Sequence, residues 1–421
     1  MNAGGSLMHG GRDLTVPPAR ILNPNIVGMR CIRCKEDYPV ADYLEGCPAC
    51  QASKIPANLA LTYREFPSSS SEFRASDWLA YPGGPVLGEG NTPTVSLPAL
   101  ATQVGIATLR AKYEGSNPTG SHKDRMSALF IQRVREAGFE AVAIASSGNA
   151  GASLAAYAAN AGVACTVVTT TRMNANWRRA IEMHGARLIF APTPEERWRL
   201  VGEGARSGEW YPANNYLTPA VGSNPFGVDG YRAIAFEIFR DWPEMPATDV
   251  LVPTSRGDVL WGVAQGFYEL RNAGYIADVP RVHAVEPFPR IELVLEGLDF
   301  RTSVDGESLL SSLKGNTVAF QALDALRKTG GSAVSVDERD VIDDQLRMSR
   351  AGLYLELSSA AALTGLSQLR RRGKIPADAH AVLLTTSHGY KDGSEVGNRA
   401  SGPPLPNSPE ADWKEESPWP I

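Results

Sequence analysis

Short apolar runs rich in β-branched residues alternate with segments of helical period through the middle of the chain. The pattern predicts strands over 107–113, 141–145, 164–169, 187–190, 210–213, 249–253, 281–285 and 380–385. Between them it predicts helices over 124–137, 150–160, 231–240 and 259–272. Strands apolar on both faces belong to parallel sheets covered by helices on both sides, so the expected class is α/β. In such sheets ligands bind at the carboxyl ends of strands, which is where chemistry is sought.

The 421 residues allow two or three domains at roughly 150 residues each. With 43% apolar and 21% charged residues the chain is globular in composition. Its net charge of −5 gives no general attraction to nucleic acid or anionic lipid. The longest uncharged stretch, 141–171, is broken at Ser146-Ser147-Gly148-Asn149 after five apolar residues, too short to span a bilayer. No apolar core follows Met1, so no signal peptide is read and a cytoplasmic location is expected. The segment 401–421 is rich in Pro and Ser and carries two Trp; it cannot be a regular helix and is read as a loose tail or one lying on a surface.

Four segments place reactive groups at strand ends. Gly115-Ser116-Asn117-Pro118-Thr119-Gly120-Ser121-His122-Lys123-Asp124-Arg125 runs from a strand through a turn into a helix. Ser121 and Asp124 have the spacing of a capping box, which puts Lys123 in the first helical turn. The positive helix end and burial in a cleft both lower a lysine pKa, as Schiff-base chemistry requires. Ser146-Ser147-Gly148-Asn149 offers small residues and exposed amides for an anion such as a carboxylate, and equally fits a simple helix cap. Thr254-Ser255-Arg256-Gly257-Asp258 could cradle a phosphate, with the Asp258 charge opposing one. Thr385-Thr386-Ser387-His388 crowds hydroxyls at the end of a strand, where a neutral hydroxyl could meet a ring nitrogen; His388 itself reads as a satisfied structural histidine.

The order and spacing of these segments resemble the fold-type II pyridoxal phosphate enzymes, and threonine synthases among them, over about residues 80–400. Members carry PTGSFKDR, STGNT and TGHGLKD where this chain has PTGSHKDR, SSGNAG and TTSHGYKD. The resemblance implies two domains with twisted, mostly parallel sheets: a large cofactor domain from 56–115 and 214–400, and a small substrate-side domain from 116–213. It implies that Lys123 bonds the cofactor and shuttles the α proton. Asn149 would meet the cofactor's 3-oxygen, the loop of Thr254, Ser255, Arg256, Gly257, Asp258 and Val259 its phosphate, and Thr386 its pyridine nitrogen. Ser146, Ser147, Gly148 and Asn149, with Asn214 and Asn215, would bind the substrate. The implied reaction is conversion of O-phosphohomoserine and water to threonine and phosphate. The alternative is a serine/threonine dehydratase or a β-replacement enzyme on the same scaffold. A homodimer acting on a small amino acid is expected, without nucleic-acid or membrane partners.

Four departures stand out: His122 precedes the lysine, Ala150 replaces a threonine, SRGD replaces a glycine-rich phosphate loop, and 214–230 holds no arginine to grip a substrate phosphate.

Cys31-x-x-Cys34 and Cys47-x-x-Cys50, twelve residues apart, form two knuckles suited to tetrahedral zinc, read as a structural ribbon within 1–55. Similar ribbons occur in some threonine synthase-like proteins. Cys165, in an apolar strand, is read as a buried thiol.

Overall fold

The computed structural model describes residues 20–66 and 74–391. The segment 401–421 lies outside the described residues. Three sheets organise the chain. The first joins β1 (Ile26–Cys31), β2 (Asp37–Tyr38) and β3 (Leu59–Tyr63) in the antiparallel order β2-β1-β3. Its third strand therefore extends beyond residue 55, where the sequence reading ended the ribbon. The physical reason is that β1 needs a partner on each side, and β3 pairs it from Cys31↔Leu59 to Ile26↔Tyr63.

The large sheet holds β4 (Thr94–Ser96), β5 (Thr108–Tyr113), β10 (Asp249–Pro253), β11 (Arg281–Glu286), β12 (Ala333–Ser335) and β13 (His380–Thr385). Its order is β12-β11-β10-β13-β5-β4, parallel except for the edge strand β4. Alternate residues face opposite layers. Val250, Val252, Val382 and Leu384 enter one core, while Leu251, Ala381 and Leu383 enter the other. This is the period-2 rule applied to a sheet covered on both faces. The small sheet is wholly parallel: β6 (Ala141–Ala145), β7 (Ala164–Thr170), β8 (Arg187–Ala191) and β9 (Tyr211–Pro212), in the order β8-β7-β6-β9. Its core includes Cys165, buried as expected.

The topology brings separated motifs together. β5, β13 and β10 are adjacent, so the loops carrying Lys123, Thr386 and Arg256 leave neighbouring strands at the same edge. Among the described residues no helix is long and apolar enough to cross a membrane.

Candidate active site

Lys123 opens the Lys123–Glu136 helix. The capping box does not form. His122 is the N-cap and gives no side-chain cap, Ser121 bridges to Ser387, and the Asp124 carboxylate accepts from the Thr119 amide at 2.6 Å and from its hydroxyl. The turn is held instead by hydrogen bonds to the β13 loop: His122 N donates to Thr386 O at 2.9 Å and the Ser387 hydroxyl donates to Gly120 O at 3.0 Å. Gly120 has φ +78°, and a Cβ there would collide with the His388 ring. Two residues beyond the lysine, Arg125 joins Glu114 and Glu237 through a buried ion-pair network, Nε to Glu114 Oε2 at 2.6 Å and Nη1 to Glu237 Oε1 at 2.7 Å. These contacts fix the start of the helix to the large sheet.

Burial lowers the Lys123 pKa from 10.5 to about 8, with Asp258 opposing the fall and Arg256 adding to it. Its Nζ lies 3.4 Å from the Tyr231 hydroxyl. His122 is buried and its pKa is pulled well down by that burial, so its ring is a neutral aromatic surface 5.6 Å from the Tyr231 ring. It fills the aromatic position before the lysine without adding charge.

At the end of β6 the Ser146 hydroxyl caps the next helix, accepting from Gly148 N at 3.3 Å and Gly151 N at 3.0 Å. The Ser147 hydroxyl meets Thr169 at 3.0 Å and accepts from Arg197 Nη1 at 2.9 Å. Asn149, the first residue of the Asn149–Ala161 helix, donates to Glu356 at 2.7 Å and accepts from Lys391 Nζ at 2.6 Å. Burial brings Lys391 to about 8 as well, making it a second amine of low pKa at the site. Ser312 donates to the same Glu356 carboxylate.

The loop after β10 has Gly257 at φ +115°, with Ala322 so close that a Cβ would lie 2.7 Å from its methyl. Thr254 is fully buried and its hydroxyl donates to Val252 O, so only its main chain faces the loop. Val259 packs into the core and contributes only backbone. Asp258 begins the Asp258–Asn272 helix and accepts from Ser223 N at 3.1 Å, the Ser223 hydroxyl at 2.7 Å and Gln321 Nε2 at 3.1 Å. Thr386 is buried, its hydroxyl 2.7 Å from that of Ser359. His388 is not the satisfied histidine expected, because its Nδ1 is buried without a hydrogen-bond partner.

Two expected substrate residues are committed elsewhere. Asn214 pairs both ways with the Ala145 main chain, at 3.2 and 2.9 Å. Asn215 donates to Leu217 O and accepts from Val221 N, each at 2.8 Å. Asn214 pairs with the end of β6 and Asn215 holds the loop that follows, because an amide side chain can satisfy exposed main-chain groups. Tyr231, Glu356, Ser359 and Arg197 were not read from the sequence as site residues. Lys391 stood inside a motif without a role.

The four ribbon cysteines place their Sγ atoms within 4.8 Å of one another. Cys31–Cys50 is 3.6 Å and Cys34–Cys47 is 3.7 Å. A larger open groove of about 530 Å³, lined by Phe288, Gln368, Arg371 and Arg372 among others, shares no residue with the Lys123 site.

Residues 86–387 match the family described as pyridoxal-phosphate dependent enzymes. The threonine synthase of Methanocaldococcus jannaschii is 30% identical over 89% of this chain and 95% of its own length. That of Methanosarcina acetivorans is 28% identical over 87% and 93%. Among solved structures, an O-ureido-L-serine synthase superposes with TM-score 0.60 at 21% identity, covering 74% of this chain and 93% of its own. A threonine deaminase of Solanum lycopersicum superposes with TM-score 0.61 at 18% identity, covering 73% and 83%, which is a likeness of fold. With a family match over residues 86–387 and a relative 30% identical along 89% of its length, the chain belongs to the pyridoxal-phosphate dependent enzyme family.

Proposed function

We propose that the protein is a threonine synthase-like lyase that converts O-phosphohomoserine and water to threonine and phosphate. The observation that carries this reading is Lys123, an amine brought to about 8 by burial and set where the Lys123, Arg256 and Thr386 loops leave neighbouring strands.

The residues fit the family's cofactor. The phosphate would be held by main-chain amides of Thr254–Val259, where a helix begins and Gly257 lets the chain approach closely. The Asp258 charge, which would oppose a phosphate, is engaged by three donors from Ser223 and Gln321. The Thr386 hydroxyl would face the ring nitrogen, oriented by Ser359. Asn149, fixed between Glu356 and Lys391, would flank the ring oxygen. Bound pyridoxal phosphate supplies an electron sink for charge developing at the substrate α-carbon.

The chain's own groups do the rest. Ser146, Ser147 and Gly148 would hold the substrate carboxylate at the start of the Asn149–Ala161 helix. Lys123 Nζ, whose pKa of about 8 leaves it neutral in about a tenth of molecules at pH 7, would take the α proton and return it. The Tyr231 hydroxyl would keep the amine aimed between these steps.

The four cysteines would hold a structural zinc. Tetrahedral thiolates about 2.3 Å from the metal lie roughly 3.8 Å apart, close to the sulfur separations here.

A second reading, a dehydratase, draws on Ala150. It lines a small cavity beside Lys123 with Phe130, Ile144 and Leu154 and brings no hydroxyl to a water there; Ser127 also lines the cavity, and its hydroxyl already accepts from Ser153 at 2.7 Å. Turnover of O-phosphohomoserine in heavy water separates the two. Deuterated threonine with equimolar phosphate supports the synthase. Phosphate released with 2-oxobutyrate in place of threonine indicates a lyase that eliminates without adding water. No phosphate release, alongside turnover of threonine or serine, overturns the substrate assignment and supports the dehydratase.

A further inference from the structure

Two arginines from different parts of the fold lie near one another, Arg197 against Ser147 of the Ser146–Asn149 loop and Arg256 against Trp198. Arg197 belongs to the Pro194–Ser207 helix, which packs on the small sheet; it donates to Ser147, and its Nε is buried with no hydrogen-bond partner. Arg256 belongs to the loop after β10 of the large sheet, and its guanidinium lies 5.3 Å from the ring centroid of Trp198, the next residue after Arg197. Neither arginine makes an ion pair of the kind that holds Arg125 and Arg232 among the described residues. Burial lowers the pKa of each, and the charge of Arg256 lowers that of Arg197 further. Glu195 and Asp258 offset this only in part. Just behind Arg256, the fully buried Arg290 donates to Thr254 O at 3.1 Å and leaves Nη1 without a partner.

Like charges brought together under partial burial disfavour each other unless an anion joins them. Paired guanidinium forks suit the oxygens of a phosphate monoester. The stretch 214–230, where an arginine was sought, contains none.

We infer that Arg197 and Arg256 form an anion subsite beside the carboxylate loop, and that it takes a phosphate monoester on the substrate side chain. The inference rests on the proposed placement of the substrate carboxylate at Ser146–Gly148. It goes beyond that reading by assigning the distal group to two residues on separate elements. The pair selects between substrates; it does not touch the α-carbon.

The test uses cofactor-loaded protein and two non-reacting ligands: 2-amino-5-phosphonopentanoate, which carries a phosphonate, and norvaline, its neutral counterpart. Dissociation constants are measured by calorimetry for the wild type, Arg197→Gln, Arg256→Gln and Arg197→Lys. The wild type should prefer the phosphonate. Each glutamine variant should reduce that preference by about 10- to 100-fold, the range for losing hydrogen bonds to a charged group. Arg197→Lys should keep part of it. Equal weakening of both ligands would place the arginines at the common carboxylate and overturn the inference. No preference in the wild type would also overturn it. Loss of cofactor from Arg256→Gln with the preference intact would assign that residue to the cofactor phosphate and overturn the pair. If the preference depends on both arginines yet O-phosphohomoserine yields no threonine, the subsite stands and the threonine synthase reading falls.

Discussion

Removing the charge that the site disfavours should stabilise the protein while abolishing its chemistry. Lys123→Met keeps the length and apolar stem of the side chain and deletes the amine. A lysine pKa held at about 8 against 10.5 unfolded corresponds to roughly 3 kcal/mol of destabilisation when the amine is protonated, at about 1.4 kcal/mol per pKa unit. Lys123 retains partial solvent access, so the expected gain is about 1–3 kcal/mol after screening. The sign follows from proton binding. Between about 8 and 10.5 the unfolded chain holds the proton that the folded chain has released, so wild-type stability rises with pH across that window. The advantage of Lys123→Met should therefore be full below pH about 8 and shrink towards zero as pH approaches the unfolded value. Urea unfolding of cofactor-free protein at pH 7 and at pH 10 measures this directly. A methionine variant no more stable than wild type at pH 7, or a gain that does not change with pH, would refute the argument that desolvation sets the lysine's pKa.

Arg125→Ala leaves Glu114 buried without its cation and Glu237 with Lys112 as its remaining one, and chemical denaturation should show a loss of about 3–5 kcal/mol. Thr386→Val removes the hydroxyl facing Ser359; it should slow turnover and loosen the cofactor with little change in unfolding midpoint, and wild-type kinetics would remove the assigned role. Metal analysis of protein made without chelator should find about one zinc per chain, lost in Cys31→Ser with a fall in stability. The same variant should release cofactor more readily, because Asn58 at the end of the ribbon donates to Ser223 O at 2.7 Å and Ser223 in turn holds Asp258 of the phosphate loop. Unchanged cofactor retention after zinc loss would break that connection.

The placement of Lys123 at a helix start was legible because its motif combines signals that survive in one dimension: a strand end, a turn and a helix start in fixed order. The same holds for the loop after β10, where a glycine must take a left-handed conformation. Lys391 and Glu356 were not legible as partners of Asn149, since they lie 242 and 207 residues away and meet it only through the sheet order. Arg197 sits on a helix whose surface arginines look alike in sequence; Arg199 pairs with Glu196 and Glu203 and Arg206 with Glu45, while Arg197 turns inward to Ser147. Between 286 and 379 no element was assigned. The strand β12 there has three residues, too few for a period. The Glu338–Arg350 helix is mostly polar, and of its buried side chains Val341, Asp344, Gln345 and Met348 just two are apolar, so few positions mark its buried face in the sequence. The capping box failed because spacing alone cannot register that Ser121 is held by β13's loop and Asp124 by Thr119.

The central claim is that Lys123, and not its neighbour Lys391, bonds the cofactor. Both amines are brought to about 8 by burial at one site, so chemistry has to separate them. Borohydride reduction of the cofactor-loaded protein, followed by digestion and mass spectrometry, makes the bond permanent and locates it. The modified peptide should contain Lys123, and Lys123→Met should take up no label. A modified peptide containing Lys391, or labelling that persists in Lys123→Met, would contradict the account.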